Sequence, residues 1–214
     1  AFKALVKEAK VEAVMGAYNR MNGEPCCGSR TLLKETLREK WGFDGHIVSD
    51  CWAIKDFHEN HMVTDGPIDS VTLAVENGCD LNCGSIFIYL LEAVKKGMLK
   101  EEQLDTAVTR LLTTRMKLGL FDESNKVIFN KIPYTVVDSK EMKELNLKAA
   151  KKSLVLLKNQ DHILPLHKSQ LKTIGIIGPN ANNRKALEGN YQGTASRYVT
   201  ILEGFQDYLK DDVR

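Results

Sequence analysis

The sequence lacks an excess of charge of either sign: 30 Lys and Arg stand against 28 Asp and Glu over 214 residues, a formal +2. The two signs are evenly mixed, so no basic stripe offers itself to nucleic acid or to an anionic membrane surface. Long apolar runs are missing as well. A spanning helix needs about 20 consecutive apolar residues, and no stretch here approaches that. No signal-peptide pattern opens the chain either. It begins with Ala1 in what reads as mid-helix, "AFKALVKEAK", which suggests a fragment. No segment repeats at a fixed period.

An even set of cysteines is also absent. The five, Cys26, Cys27, Cys51, Cys79 and Cys83, do not form the repeated pairs of a zinc site. Mostly reduced thiols are the plainer reading, with a structural disulfide such as Cys51 to Cys83 as the alternative. With no leader pattern, this favours a cytoplasmic location. "His58-Glu59-Asn60-His61" places its histidines three apart, whereas the zincin helix needs H-E-x-x-H. "IGIIGPNA", Ile174 to Ala181, lacks the third glycine of G-x-G-x-x-G, and Pro179 removes a backbone donor. It reads as a tight turn after a strand. No metal and no cofactor are expected.

What is present is an alternation of short apolar runs and helical patterns. Val11 to about Tyr18 reads as a strand, "GHIVSD" as a second and "CDLNCG" as a very short third. Between them, "TLLKETLREKW" has a helical period in Leu32, Leu33, Leu37 and Trp41, and Pro67 opens a helix ending at Gly78. "IFIYLLEAVKKG" stops at Gly97. A long helix capped by Gly119 carries Leu104, Ala107, Val108, Leu111, Leu112 and Met116 on one face. Strand–helix–strand order with such connections predicts parallel strands. The pattern lapses over residues 121–140, read as a linker. Beyond it, residues 141–214 form a second α/β unit, with strands at "LVLLKN" and "TIGIIG" and a terminal helix at "TILEGFQDYL".

Asp50 is the leading chemical candidate. A parallel strand buried on both faces tolerates no unpaired carboxylate in its middle, so an Asp belongs at the carboxyl end, where ligands meet loops. The competing reading is an Asp capping the following turn. Tyr18 and Asp80 sit near the corresponding ends of the other strands, and Asp80 reads as a plain strand-end residue.

Five stretches, "VMGAYNRMNGEPCCGS", "KWGFDGHIVSDCWAI", "CDLNCG", "RLLTTRMKLGLFD" and "KKSLVLLKNQDHILPL", together resemble family 3 of the glycoside hydrolases, in order and over essentially the whole chain. The resemblance implies the C-terminal part of a (β/α)8 TIM barrel in residues 1–120, with its last three strands between Val11 and Cys83. It makes residues 141–214 the beginning of an α/β sandwich domain. It implies that Asp50 is the nucleophile of a retaining exo-β-glycosidase and that Tyr18 lines the sugar subsite. Such a nucleophile must stay ionised, which calls for hydrogen bonds or cationic neighbours around it. Many relatives have Trp directly after the nucleophile, whereas here Cys51 and then Trp52 follow. Trp52 is an aromatic candidate for sugar contact or for loop packing. "Ser-Asp-Cys" and "GNYQG", Gly189 to Gly193, resemble the β-xylosidase branch. The implied partner is an oligosaccharide or an aryl or alkyl β-glycoside. The acid/base residue is expected outside these residues, and Glu188 reads as structural.

Overall fold

The computed structural model describes residues 1–191 and 193–209, so Gln192 of "GNYQG" lies outside the described residues. The chain divides into two compact units, Ala1–Lys131 and Ile132–Arg214.

The first unit is α/β. Helix α1 (Phe2–Lys7) leads into strand β1 (Ala13–Gly16), and a minimal antiparallel pair follows, β2 (Arg20–Met21) with β3 (Glu24–Pro25). The segment Arg30–Lys40 is π-helical and is capped by the Ser29 side chain, which accepts from the Leu32 amide at 3.0 Å. It buries Leu33 and Leu37, two of the four positions expected from its period. Strand β4 (His46–Ser49) runs parallel to β1, pairing Ala13 with His46 through Gly16 with Ser49. Helices α2 (Asp56–Glu59), α3 (Pro67–Glu76), α4 (Leu90–Lys95) and α5 (Glu101–Lys117) complete the unit. Gly97 and Gly119 close α4 and α5 with φ near +71° and +72°, the left-handed conformation for which glycine has no steric penalty.

The core gathers Ile47 of β4 with Leu33, Leu37, Ile54, Phe57, Val71, Ala74 and Ala93. Full burial of each large apolar side chain contributes about 1.5–3 kcal/mol, so this cluster holds the helices to one face of the strands. Just before β4, Gly45 lies against the residue that precedes β1: a Cβ there would lie 2.1 Å from the Glu12 carbonyl oxygen. Any side chain would push the parallel pair apart.

Two expectations are corrected here. The third strand reduces to a single parallel bridge between Val48 and Leu81, because the Ile47 amide that would extend the ladder is taken by the Asp80 carboxylate. Helix α5 buries only Ala107 of its predicted apolar face, and Val108 and Met116 are exposed.

The second unit contains α6 (Lys140–Ser153), α7 (Lys185–Glu188) and α8 (Ile201–Leu209). A reciprocal cap starts α8: the Thr200 hydroxyl accepts from the Glu203 amide at 3.2 Å, and the Glu203 carboxylate accepts from the Thr200 amide at 2.9 Å. The strands expected at residues 154–159 and 173–178 do not form among the described residues. A strand exists only through a ladder, and no described segment pairs with either stretch. The turn expected after the second is present, with the Ala181 amide donating to the Gly178 carbonyl at 3.1 Å.

Candidate active site

Because β1, β4 and the Leu81 bridge are parallel, their carboxyl ends lie along one edge. Asp50 follows β4 directly. Its amide donates to the Gly16 carbonyl at 3.0 Å, and its own carbonyl accepts from the Ala53 amide at 3.1 Å. One carboxylate oxygen accepts from the Cys51 amide at 2.8 Å, so the half-buried side chain is oriented by the turn it opens. Asp50 thus caps a turn and also stands at a parallel strand tip. Gly16 makes the approach of β1 possible: a Cβ there would lie 2.6 Å from the Cys27 sulfur. Burial pushes the Cys27 thiol up to about 11, which leaves it a neutral wedge behind the strand and not a nucleophile.

Cys51 and Cys83 are disulfide-bonded, with Cα atoms 4.3 Å apart, while Cys26, Cys27 and Cys79 are free and buried. The reading of reduced thiols is therefore corrected at this pair, where the alternative holds. The two cysteines are 32 residues apart in sequence and meet because β4 and the Leu81 bridge bring their strand ends together. Trp52, the next residue, has φ of +70° and donates its amide to the Cys83 carbonyl at 2.7 Å. A left-handed conformation in a bulky residue costs about 1–3 kcal/mol and persists only where its surroundings impose it. The indole packs against Gly84, where a Cβ would lie 3.2 Å from it, yet 53% of the residue stays exposed. Trp52 thus packs against the loop with about half of its surface open to solvent.

Tyr18 lies two residues beyond β1 and is half-exposed. Its carbonyl is 2.8 Å from the His61 Nε2, and the Arg20 guanidinium donates to the His61 carbonyl at 3.4 Å. His58 points elsewhere, its Nδ1 lying 2.9 Å from the buried Ser70 hydroxyl. The two rings therefore do not converge, and among the described residues no group of three or more His, Cys, Asp or Glu is placed to hold a metal ion.

Asp80 is more than a strand-end residue. It is 5% exposed and accepts from Arg38 and Arg110 at 2.8 Å each, and from the Ile47 amide at 2.8 Å. Burial lowers the pKa of Arg38, and the neighbouring Asp80 charge opposes that shift. This triad ties β4 to the π-helix and to α5. The sequence carried a clue only at Arg38, which stands beside the buried Leu37. Asn82 belongs to the same framework, with the Ser49 hydroxyl donating to it at 3.4 Å and accepting from the Cys83 amide at 3.0 Å.

Residues 1–114 match the glycosyl hydrolase family 3 N-terminal domain, and residues 154–213 match the family's C-terminal domain. The chain belongs to glycosyl hydrolase family 3. A xylan 1,4-beta-xylosidase from Xylanibacter ruminicola is 47% identical over 206 residues, covering 95% of this chain and 24% of the relative. Beta-D-xylosidase 1 from Arabidopsis thaliana is 38% identical over 210 residues, 98% of this chain and 27% of the relative. The chain thus spans about a quarter of the length of the curated relatives it matches. Among solved family 3 structures, an exo-beta-xylosidase in complex with a xylobiose aziridine probe superposes with a TM-score of 0.82 at 29% identity, covering 99% of this chain and 27% of that one. A beta-glucosidase from Listeria innocua gives 0.79 at 28% identity, covering 100% of this chain and 29% of that one.

Proposed function

We propose that this chain carries the nucleophile-bearing part of a retaining exo-β-glycosidase that removes terminal β-D-xylosyl or β-D-glucosyl residues. In this reading residues 1–120 are the last part of a (β/α)8 barrel and residues 141–214 open an α/β sandwich domain, with 121–140 as the linker. The observation that carries it is Asp50 at the carboxyl end of a parallel strand: its backbone amide donates to the Gly16 carbonyl, and its half-buried carboxylate accepts from the Cys51 amide. The named activities of the family 3 relatives support the same assignment.

Asp50 attacks the anomeric carbon as the leaving group departs, which forms a glycosyl-aspartate ester; water then hydrolyses that ester and returns the carboxylate. Tyr18 lines the sugar subsite, and Trp52 offers its exposed indole face to the substrate. The proton for the leaving group comes from a second carboxyl group outside these residues. For that reason the 214-residue chain alone hydrolyses no β-glycoside.

The test uses the full-length protein. Asp50→Asn preserves shape and removes the charge, so turnover of an aryl β-xyloside should fall by about 10³-fold or more, with the unfolding transition retained. Wild-type turnover in a folded Asp50→Asn protein would overturn the assignment.

A further inference from the structure

We propose that His61 is a positioning residue that acts through Tyr18, holding the sugar-facing tyrosine in register with Asp50. The inference deepens the reading of Tyr18 as a subsite residue and rests on it. β1 ends at Gly16, so Tyr18 stands beyond the parallel ladder that fixes Asp50. Its backbone is instead held from the opposite loop. The Nε2–H of His61 donates to the Tyr18 carbonyl at 2.8 Å, across 43 residues of sequence. A carbonyl only accepts, so this nitrogen carries the proton.

The contact is returned by Arg20, whose guanidinium donates to the His61 carbonyl at 3.4 Å. His61 itself is anchored by its amide, which donates to the Asp56 carbonyl at 2.7 Å at the end of α2. The turn opened by Asp50 leads straight into α2, with the Phe57 amide donating to the Ile54 carbonyl at 3.3 Å and Phe57 buried in the core. One continuous segment, Asp50 to His61, therefore carries the proposed nucleophile at its start and grips the backbone of the proposed sugar-facing residue at its end. A shift of His61 would move the Tyr18 backbone relative to Asp50.

A loop staple with no role in the reaction would contribute stability alone, so the test reads both quantities. In the full-length protein, His61→Ala should lower kcat/KM about fivefold, the loss expected for one partly exposed hydrogen bond. That loss should appear on aryl β-xyloside and aryl β-glucoside alike, with the melting temperature nearly unchanged. His61→Gln, whose amide N–H reaches the same carbonyl, should recover most of it, and the shorter His61→Asn should not. In a Tyr18→Ala background the further effect of His61→Ala should vanish, because the two residues act as one unit.

Equal kcat/KM for His61→Gln, His61→Asn and wild type would overturn the proposal, as would additive losses in the double variant. If Tyr18→Ala itself leaves kcat/KM untouched, the subsite reading of Tyr18 fails and this proposal falls with it. If Tyr18→Ala is impaired and His61→Ala is not, only the positioning role fails. Should His61→Ala not fold, the Gln and Asn pair decides.

Discussion

The two units of the chain carry comparable sequence patterns and reach different ends. In Ala1–Lys131, short apolar runs become paired strands under a shared core of Ile47, Ile54, Phe57 and Val71. In Ile132–Arg214, the run Leu154–Leu157 stays exposed, Leu157 to 92%, and only Thr200 and Leu209 are buried among the described residues. The difference lies in partners. Ile47 lies in one cluster with residues of several helices, and Val11 and Val14 pack against it, whereas in the second unit Leu154–Leu157 stay exposed and Ile174 and Ile176 are only half-buried. An apolar period specifies which face a segment will bury, but not that anything is there to bury it against.

The largest consequence is in local stability, and hydrogen exchange on the 214-residue chain would break or sharpen the contrast. Amides of β4 and α3 should be protected by roughly a hundredfold or more relative to residues 154–182, since exchange follows the free energy of local opening. Uniform protection across both units would contradict the comparison.

The units differ next in where their charges sit. The first holds the Arg38–Asp80–Arg110 triad in its interior, while the ion pairs described in the second are on its surface. Removing one partner from a buried pair leaves an uncompensated charge and costs about 3–5 kcal/mol. Asp80→Asn in the full-length protein should therefore lower stability to denaturant by that order, and Arg184→Gln, which removes an exposed pair screened by solvent, should leave it nearly unchanged. Equal effects would dissolve the distinction.

The smallest expected difference is in two carboxyl groups. Glu24 is held below its ordinary value of 4.5 chiefly by the Ser29 hydroxyl, and Glu203 chiefly by its hydrogen bond with Arg184. Both pKa values are depressed in the folded chain. Each contribution to stability is thus fully present above about pH 4.5 and is lost as pH falls from there through the folded value. Salt screens the exposed Arg184 pair but hardly affects a neutral hydroxyl. In NMR titrations of the chain, added salt should return Glu203 toward 4.5 and leave Glu24 depressed. Equal responses would erase the contrast.

Much of the first unit was legible because its signals are local. Gly97 and Gly119 close helices where the pattern stops, Pro67 opens one, and Asp50 stands at the end of a parallel strand. The features that were unread, or read only as an alternative, depend on segments far apart in sequence. The Cys51–Cys83 disulfide stood only as the alternative to reduced thiols, because it needs β4 and Leu81 paired before the two cysteines come within bonding distance, and no spacing rule encodes that pairing. Asp80 looks like any strand-end acid until two arginines from separate helices converge on it. His61 drew notice as half of a metal motif, and its actual partner is a backbone carbonyl, which leaves no mark in a sequence. The strands of the second unit were over-read for the converse reason, because an apolar run there has no ladder to join among the described residues.

The central claim is that Asp50 is the residue that bonds to the sugar. Incubating the full-length protein with a 2-deoxy-2-fluoro β-xyloside bearing a good leaving group should trap the ester intermediate. Peptide mass mapping should then place one fluoroxylosyl adduct on the peptide containing Asp50, and Asp50→Asn should take up none. An adduct on a different carboxylate, with Asp50 unmodified, would contradict the account.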